Sequence, residues 1–138
     1  MNWKIKKFKQ SMKIEFQSGN LTLDAFMNRG FYDFPRLLEN ISNGTGIHFE
    51  YESIETPADL DDHDVEVLGI SIPEGQLRIG NRLEEEYTFV SEREFNQMLL
   101  DFSSKLLKIH QKDDKMEQTW KEEMENGIRK LKEKISNS

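Results

Sequence analysis

At 138 residues the chain is long enough for one domain with a buried core, and its 36% hydrophobic and 33% charged content suits a folded protein with a polar surface. Nine Phe, three Tyr and two Trp exclude a disordered chain, which would be poor in aromatics. The net charge of −7 argues against a nucleic-acid ligand, because acidic fields repel phosphate and attract basic proteins.

The charge is unevenly spread. Residues 1–20 hold five Lys against one Glu (+4), and residues 21–49 two basic against three acidic groups (−1). Residues 50–94 hold three Arg against fourteen acids (−11), and residues 95–138 nine basic against eight acidic groups (+1). The deficit therefore lies in the middle third. Cysteine is absent, which fits a reducing compartment. The lysine-rich start, Met1 to Lys9, has behind it no run of roughly 7–15 apolar residues such as a signal peptide needs. No stretch approaches the ~20 apolar residues of a membrane span. The expectation is a cytoplasmic protein that binds neither membrane nor nucleic acid.

In chain order, Met12-Lys13-Ile14-Glu15-Phe16 alternates with strand period and Ser18-Gly19-Asn20 closes it as a turn. Leu21 to Met27 begins helical structure, broken by Asn28-Arg29-Gly30. Phe31, Phe34, Leu37, Leu38 and Ile41 share one helical face, with Pro35 best placed in the first turn. Ile47 to Glu52 alternates as a strand, and the β-branched run Val65 to Ile72 reads as its pair. Leu77-Arg78-Ile79 opens a further strand and Glu84 to Val90 another, so an antiparallel meander is expected.

Ser91-Glu92-Arg93-Glu94 is a capping box, in which the Ser hydroxyl and the Glu three residues on satisfy unpaired N–H groups. The helix after it carries Phe95, Met98, Leu99, Phe102, Leu106 and Ile109 on one face. A second, more polar helix spans about 113–135, with Met116, Trp120, Met124, Ile128, Leu131 and Ile135 as a narrow stripe. Gly127 should weaken it by roughly 1 kcal/mol relative to Ala. The predicted fold is α+β: an antiparallel sheet of three to five strands, helices packed on one face, and a C-terminal helix. One domain is expected over 1–138, its core at about 12–110 and the helix 113–135 appended, free to lie in a groove or to form a homodimer.

Catalytic constellations are not apparent. His48, His63 and His110 lie far apart and form no metal-ligand spacing, and nucleophile elbows and phosphate-binding glycine loops are missing. Gly44-Thr45-Gly46 precedes strand-like sequence rather than a helix. The run Asp59-Leu60-Asp61-Asp62-His63-Asp64 departs from a calcium loop, with Asp64 at position six where Gly is required and Ile70 at position twelve where Glu is required. It is either a solvated acidic loop or a contact for a basic partner. Glu84-Glu85-Glu86 either protects a strand edge from aggregation or belongs to the same negative face. Trp3 and Trp120 read as packing residues, and the lysines of residues 4–13 as a solvated face. No catalytic residue, metal or cofactor is expected.

The segment from about Ile47 to Ile109 resembles the immunity proteins of bacterial polymorphic and contact-dependent-inhibition toxin systems, most of all those paired with ribonuclease toxins. The features that carry it are the strand pair, the strand Glu86-Tyr87-Thr88-Phe89-Val90, the immediate helix start Ser91-Glu92-Arg93-Glu94-Phe95, and Met98-Leu99-Leu100-Asp101-Phe102. The resemblance implies an antidote that binds a toxin domain and has no catalysis of its own. A nuclease is basic where it grips phosphate, so an acidic face complements it. The residues expected to make contact are Asp59, Asp61, Asp62, Asp64, Glu66, Glu84, Glu85 and Glu86. Two other readings stand beside this one. A regulatory or adaptor domain would pair through the Met116–Ile135 stripe, and a small enzyme would need its histidines to converge with carboxylates.

Overall fold

The computed structural model describes residues 2–9, 11–17, 19–28 and 31–137. An N-terminal hairpin pairs β1 (Trp3–Lys7) with β2 (Met12–Phe16). Helices α1 (Leu21–Met27) and α2 (Phe34–Ser42) follow, α2 entered through a 3-10 turn at Phe31–Asp33. A four-stranded antiparallel sheet has the order β3 (Ile47–His48), β4 (Glu52–Glu55), β5 (Gln76–Asn81), β6 (Glu86–Ser91). Between β4 and β5 lie a 3-10 turn at Pro57–Asp59 and the short α3 (Asp62–Glu66). The chain ends with α4 (Glu92–His110) and α5 (Gln118–Ser136). The fold is α+β. The expected turn residue Ser18 and the expected break at Arg29-Gly30 lie outside the described residues.

Local chemistry accounts for most boundaries. Asn20 caps α1, its Oδ1 accepting from the Leu23 N–H, and the Ser91 hydroxyl accepts from the Glu94 N–H to cap α4. Pro35 sits in the first turn of α2, where a missing N–H costs nothing. Asn28 ends α1 and brackets β2: its amide accepts from the Ile14 N–H and donates to the Ile14 carbonyl, both at 3.0 Å.

Three sequence expectations need correction. Ile47–Glu52 is not one strand but the turn of a hairpin, closed by the Phe49 N–H on the Glu52 carbonyl. Tertiary contacts override the alternation there: the Phe49 ring meets Phe26 at 5.8 Å and lies under Arg36, whose Nη2 donates to the His48 carbonyl. Val65–Ile72 forms no strand. Asp61 and Asp64 cap one another's backbone N–H groups and start α3 instead, so local hydrogen bonds outcompete the β-branched propensity. Nor is the C-terminal helix appended to a core that ends near residue 110. Met116, Trp120, Met124, Ile128 and Leu131 belong to the same buried cluster as Phe34, Leu38, Phe95 and Phe102.

That cluster has two parts. Ile54, Leu77 and Ile79 project from one face of the sheet into the same buried cluster as Phe95, Met98, Leu99, Phe102 and Leu106 of α4, with α1 packed on β5 and β6. Behind α4, α5 packs against α2 and α4, with Phe34 stacked on Phe102 at 5.3 Å and Trp120 edge-on to His110 at 5.8 Å. Lys134 ties the layers by donating to the Ile41 carbonyl at 3.0 Å and pairing with Glu92 at 3.3 Å. The hairpin is anchored to α4 by the Trp3 indole N–H on Asp101 Oδ2 at 2.8 Å. Burial works to raise the Asp101 pKa, but donation from Trp3 and Lys105 outweighs it, so the carboxyl lies below its ordinary value of 3.8.

Two predictions follow from this packing. Gly127 gives α5 its close approach to α2, since a Cβ there would lie 2.8 Å from the Leu38 Cβ. Gly127→Ala gains about 1 kcal/mol of helix propensity but forces an overpacked seam costing about 1–3 kcal/mol. A net loss of about 1 kcal/mol is expected in urea unfolding; a gain would show that the seam is loose. Because the folded pKa of Asp101 is depressed, its hairpin anchor is fully present above 3.8 and lost as pH falls through the lower folded value. The Trp3 indole N–H resonance should titrate with a midpoint below 3.8, and a midpoint at or above it would refute the anchor.

Candidate partner-binding surface

The carboxylates expected to contact a partner fall on three elements. Asp59 ends the 3-10 turn, where its Oδ2 accepts from the Gly46 N–H, the Thr56 N–H and the Thr56 hydroxyl at 2.6–2.9 Å. It pins the β4 exit to the β3 entry. Its role is structural at least in part. Asp61 and Asp64 form the capping box of α3, at 2.8 and 3.0 Å. The Asp64 N–H, with help from the Asp64 and His63 side chains, holds the Asp61 carboxyl below its ordinary value against the smaller opposing effect of desolvation. Asp62 and Glu66 are exposed and have no such local task.

Asp61, His63 and Asp64 bring potential ligand atoms within 4.8 Å of one another. The mutual capping bonds already account for that proximity. The other histidines lie elsewhere, His48 exposed on β3 and His110 buried at the end of α4, 3.7 Å from Asp113. A cleft of about 240 Å³ between α2 and α5 is walled by Arg36, Glu39, Glu123 and Lys130, and none of the three histidines lines it.

Glu84, Glu85 and Glu86 occupy the β5–β6 hairpin tip. Asn81 Oδ1 accepts from the Leu83 and Glu84 N–H groups to shape the turn, and Glu85 is left-handed at φ 53°. A non-glycine residue there costs roughly 1 kcal/mol or more. The two acidic runs are rooted at opposite ends of the sheet. Asp59 lies where β4 ends and β5 begins, and the glutamates where β5 ends, six residues or roughly 17 Å along the strand. They are two acidic patches at their roots rather than one plane.

Sequence reasoning missed the apolar surface between and beside these patches. On α3 and the turn after it, Val65, Val67 and Leu68 are more than half exposed among the acids. On the sheet face away from the helices, Tyr87 lies flat over Gly80, where a Cβ would overlap its ring, and the Arg78 guanidinium stacks on it at 3.7 Å. Glu55 pairs with Arg78 at 3.3 Å, and Phe89 stands opposite Arg78 and is 48% exposed. The alternation of β6 was visible in the sequence, but which face the helices would cover was not.

No helix among the described residues is long and apolar enough to cross a membrane. No family model matches the chain, and no curated protein or solved structure is significantly similar to it.

The left-handed tip gives a direct test. Glu85→Gly should raise stability by about 1 kcal/mol because glycine adopts this conformation without steric cost. Glu85→Ala keeps the strain and should not. Equal midpoints for the two variants in urea unfolding would show that the tip relaxes without penalty.

Proposed function

We propose that this chain is a non-catalytic binding protein for a basic protein surface, in the manner of a cytoplasmic immunity protein that covers a nuclease toxin domain. One observation carries the reading. None of Asp59, Asp61, Asp62, Asp64, Glu66, Glu84, Glu85 and Glu86 takes part in a salt bridge among the described residues. The ion pairs lie instead on the N-terminal hairpin, the helices and the Glu55–Arg78 pair of the open sheet face. No lysine or arginine among the described residues neutralises these carboxylates, and Asp62, Glu66 and the tip glutamates are also outside the capping bonds that occupy Asp59, Asp61 and Asp64.

The distance between the patches sets the scale of the partner. At physiological ionic strength charges are screened over about 8 Å, so patches rooted roughly 17 Å apart act on separate regions of a broad basic surface. Such complementarity raises association rates by about 10- to 1,000-fold and falls steeply with salt. An adaptor that pairs through residues 113–135 would first have to withdraw Trp120, Met124 and Leu131 from the core. The acidic patches therefore support the antidote reading better.

The test uses carboxylates without a capping role. Tagged wild type and the variants Asp62→Asn/Glu66→Gln and Glu84→Gln/Glu86→Gln are used to recover partners from the native cell, and affinity is measured against salt. The expected partner carries a basic surface, and each double variant weakens it by about tenfold or more. Affinity that is indifferent to both salt and these variants would refute the proposal.

A further inference from the structure

The sheet has two edges of different character. β3 is only two residues long, and Arg36 already donates to its His48 carbonyl. β6 is six residues long, pairs with β5 without a bulge, and among the described residues has no neighbouring strand on its other side. Two backbone bonds set the phase of the ladder. The Arg82 N–H donates to the Tyr51 carbonyl, so Arg78 and Gly80 point their peptide groups toward β4. The Glu92 N–H donates to the Gly75 carbonyl, so Leu77, Ile79 and Asn81 point theirs toward β6. Residues opposite Arg78 and Gly80, namely Phe89 and Tyr87, must then aim their N–H and C=O groups away from the sheet. Among the described residues no hydrogen bond from outside β6 reaches those groups.

An edge of this kind is ordinarily blunted by lysine, proline or a bulge. Glu86-Tyr87-Thr88-Phe89-Val90-Ser91 has none of them, and its one charge stands at the head. The side chains beside the open groups are Tyr87 and Phe89, 40% and 48% exposed on the uncovered face. Backbone donors, acceptors and apolar area thus lie together in a single strip.

We propose that β6 receives an extended, basic segment of a protein partner as a fifth strand. Its backbone would pair with Tyr87 and Phe89, its apolar side chains would cover their rings, and its lysines or arginines would meet Glu84, Glu85 and Glu86. This rests on the basic-partner reading above and names where that partner docks. Charge selects the occupant. In a parallel pair of two copies the glutamates at 84–86 would approach each other, whereas an antiparallel pair would bring them to the start of α4, where Glu92 already pairs with Lys134. Like charges opposite one another destabilise a strand pair. Arg82, bonded to the Glu50 carbonyl, offsets one of the three tip glutamates, and Arg78 is neutralised by Glu55, so the strip stays net acidic.

The test uses the full chain and two synthetic peptides of about ten residues, one alternating Lys and Val, the other Lys and Pro. Both carry the same charge, but proline opposite Tyr87 and Phe89 has no N–H to donate, and a register shifted by one residue would put lysine rather than an apolar side chain on their rings. The Lys-Val peptide should bind about tenfold tighter and slow amide exchange at Tyr87 and Phe89, while Thr88 and Val90, already in the ladder, change little. Phe89→Pro removes the outward N–H and should abolish that preference with its circular dichroism unchanged, whereas Phe89→Ala should retain part of it. Should Phe89→Pro unfold, the exchange pattern of the wild type decides. Equal binding of the two peptides, or protection at residues 62–68 instead, overturns strand addition and leaves the basic-partner reading intact. Binding of neither peptide overturns both. A dimer in sedimentation that protects Tyr87 and Phe89 without peptide overturns the proposal in favour of a second copy.

Discussion

The seam between α2 and α5 closes on Gly127, which lets the Leu38 side chain rest against the backbone of the last helix. Everything else is stacked on that approach. With α5 seated, Trp120, Met124 and Leu131 seal the outer side of a helical layer whose inner side, Phe95 to Leu106 of α4, covers the sheet. Lys134 joins the end of α2 to the start of α4 at the same seam. A residue that is a poor helix former by itself is here the condition for the helix to pack, because the loss of about 1 kcal/mol in propensity is small beside a buried interface.

Because the helices occupy one side of the sheet, the other side remains open. Arg78 is held there between Glu55 and the Tyr87 ring, an arrangement that satisfies the guanidinium and covers part of that ring while Phe89 stays exposed. The same asymmetry governs the edges, with β3 short and bonded by Arg36 while β6 is long and exposed. Partner recognition, on the reading proposed here, is concentrated where the fold has left both backbone and apolar side chains unpaired.

The acidic residues divide by task. Asp59, Asp61 and Asp64 spend hydrogen-bonding capacity on the turn and helix that connect β4 to β5. Asp62, Glu66 and the tip glutamates make no such bonds and shape only the external field. Glu85 is kept in a left-handed conformation that glycine would adopt freely.

Several elements were legible in the residues alone. The capped, amphipathic run from Ser91 to His110 and the proline-started helix over 34–42 specify themselves through periodicity and backbone satisfaction, both local properties. The α+β class and the strands at 12–16, 76–81 and 86–91 follow for the same reason. The segment 65–72 misled because β-branched propensity is weak, and two aspartates three residues apart can satisfy N–H groups in a helical turn instead. Ile47–Glu52 misled because its alternation is compatible with a strand or with a tight turn, and only Arg36 and Phe26, remote in sequence, select the turn. The stripe on the last helix could have faced a partner or the core, since a narrow apolar stripe suits either. Whether acidic runs separated by twenty residues share a surface, which strand lies at an edge, and which face stays uncovered are relations between distant segments. Sequence periodicity decides which side chains of an element point together; only tertiary packing decides what lies opposite them.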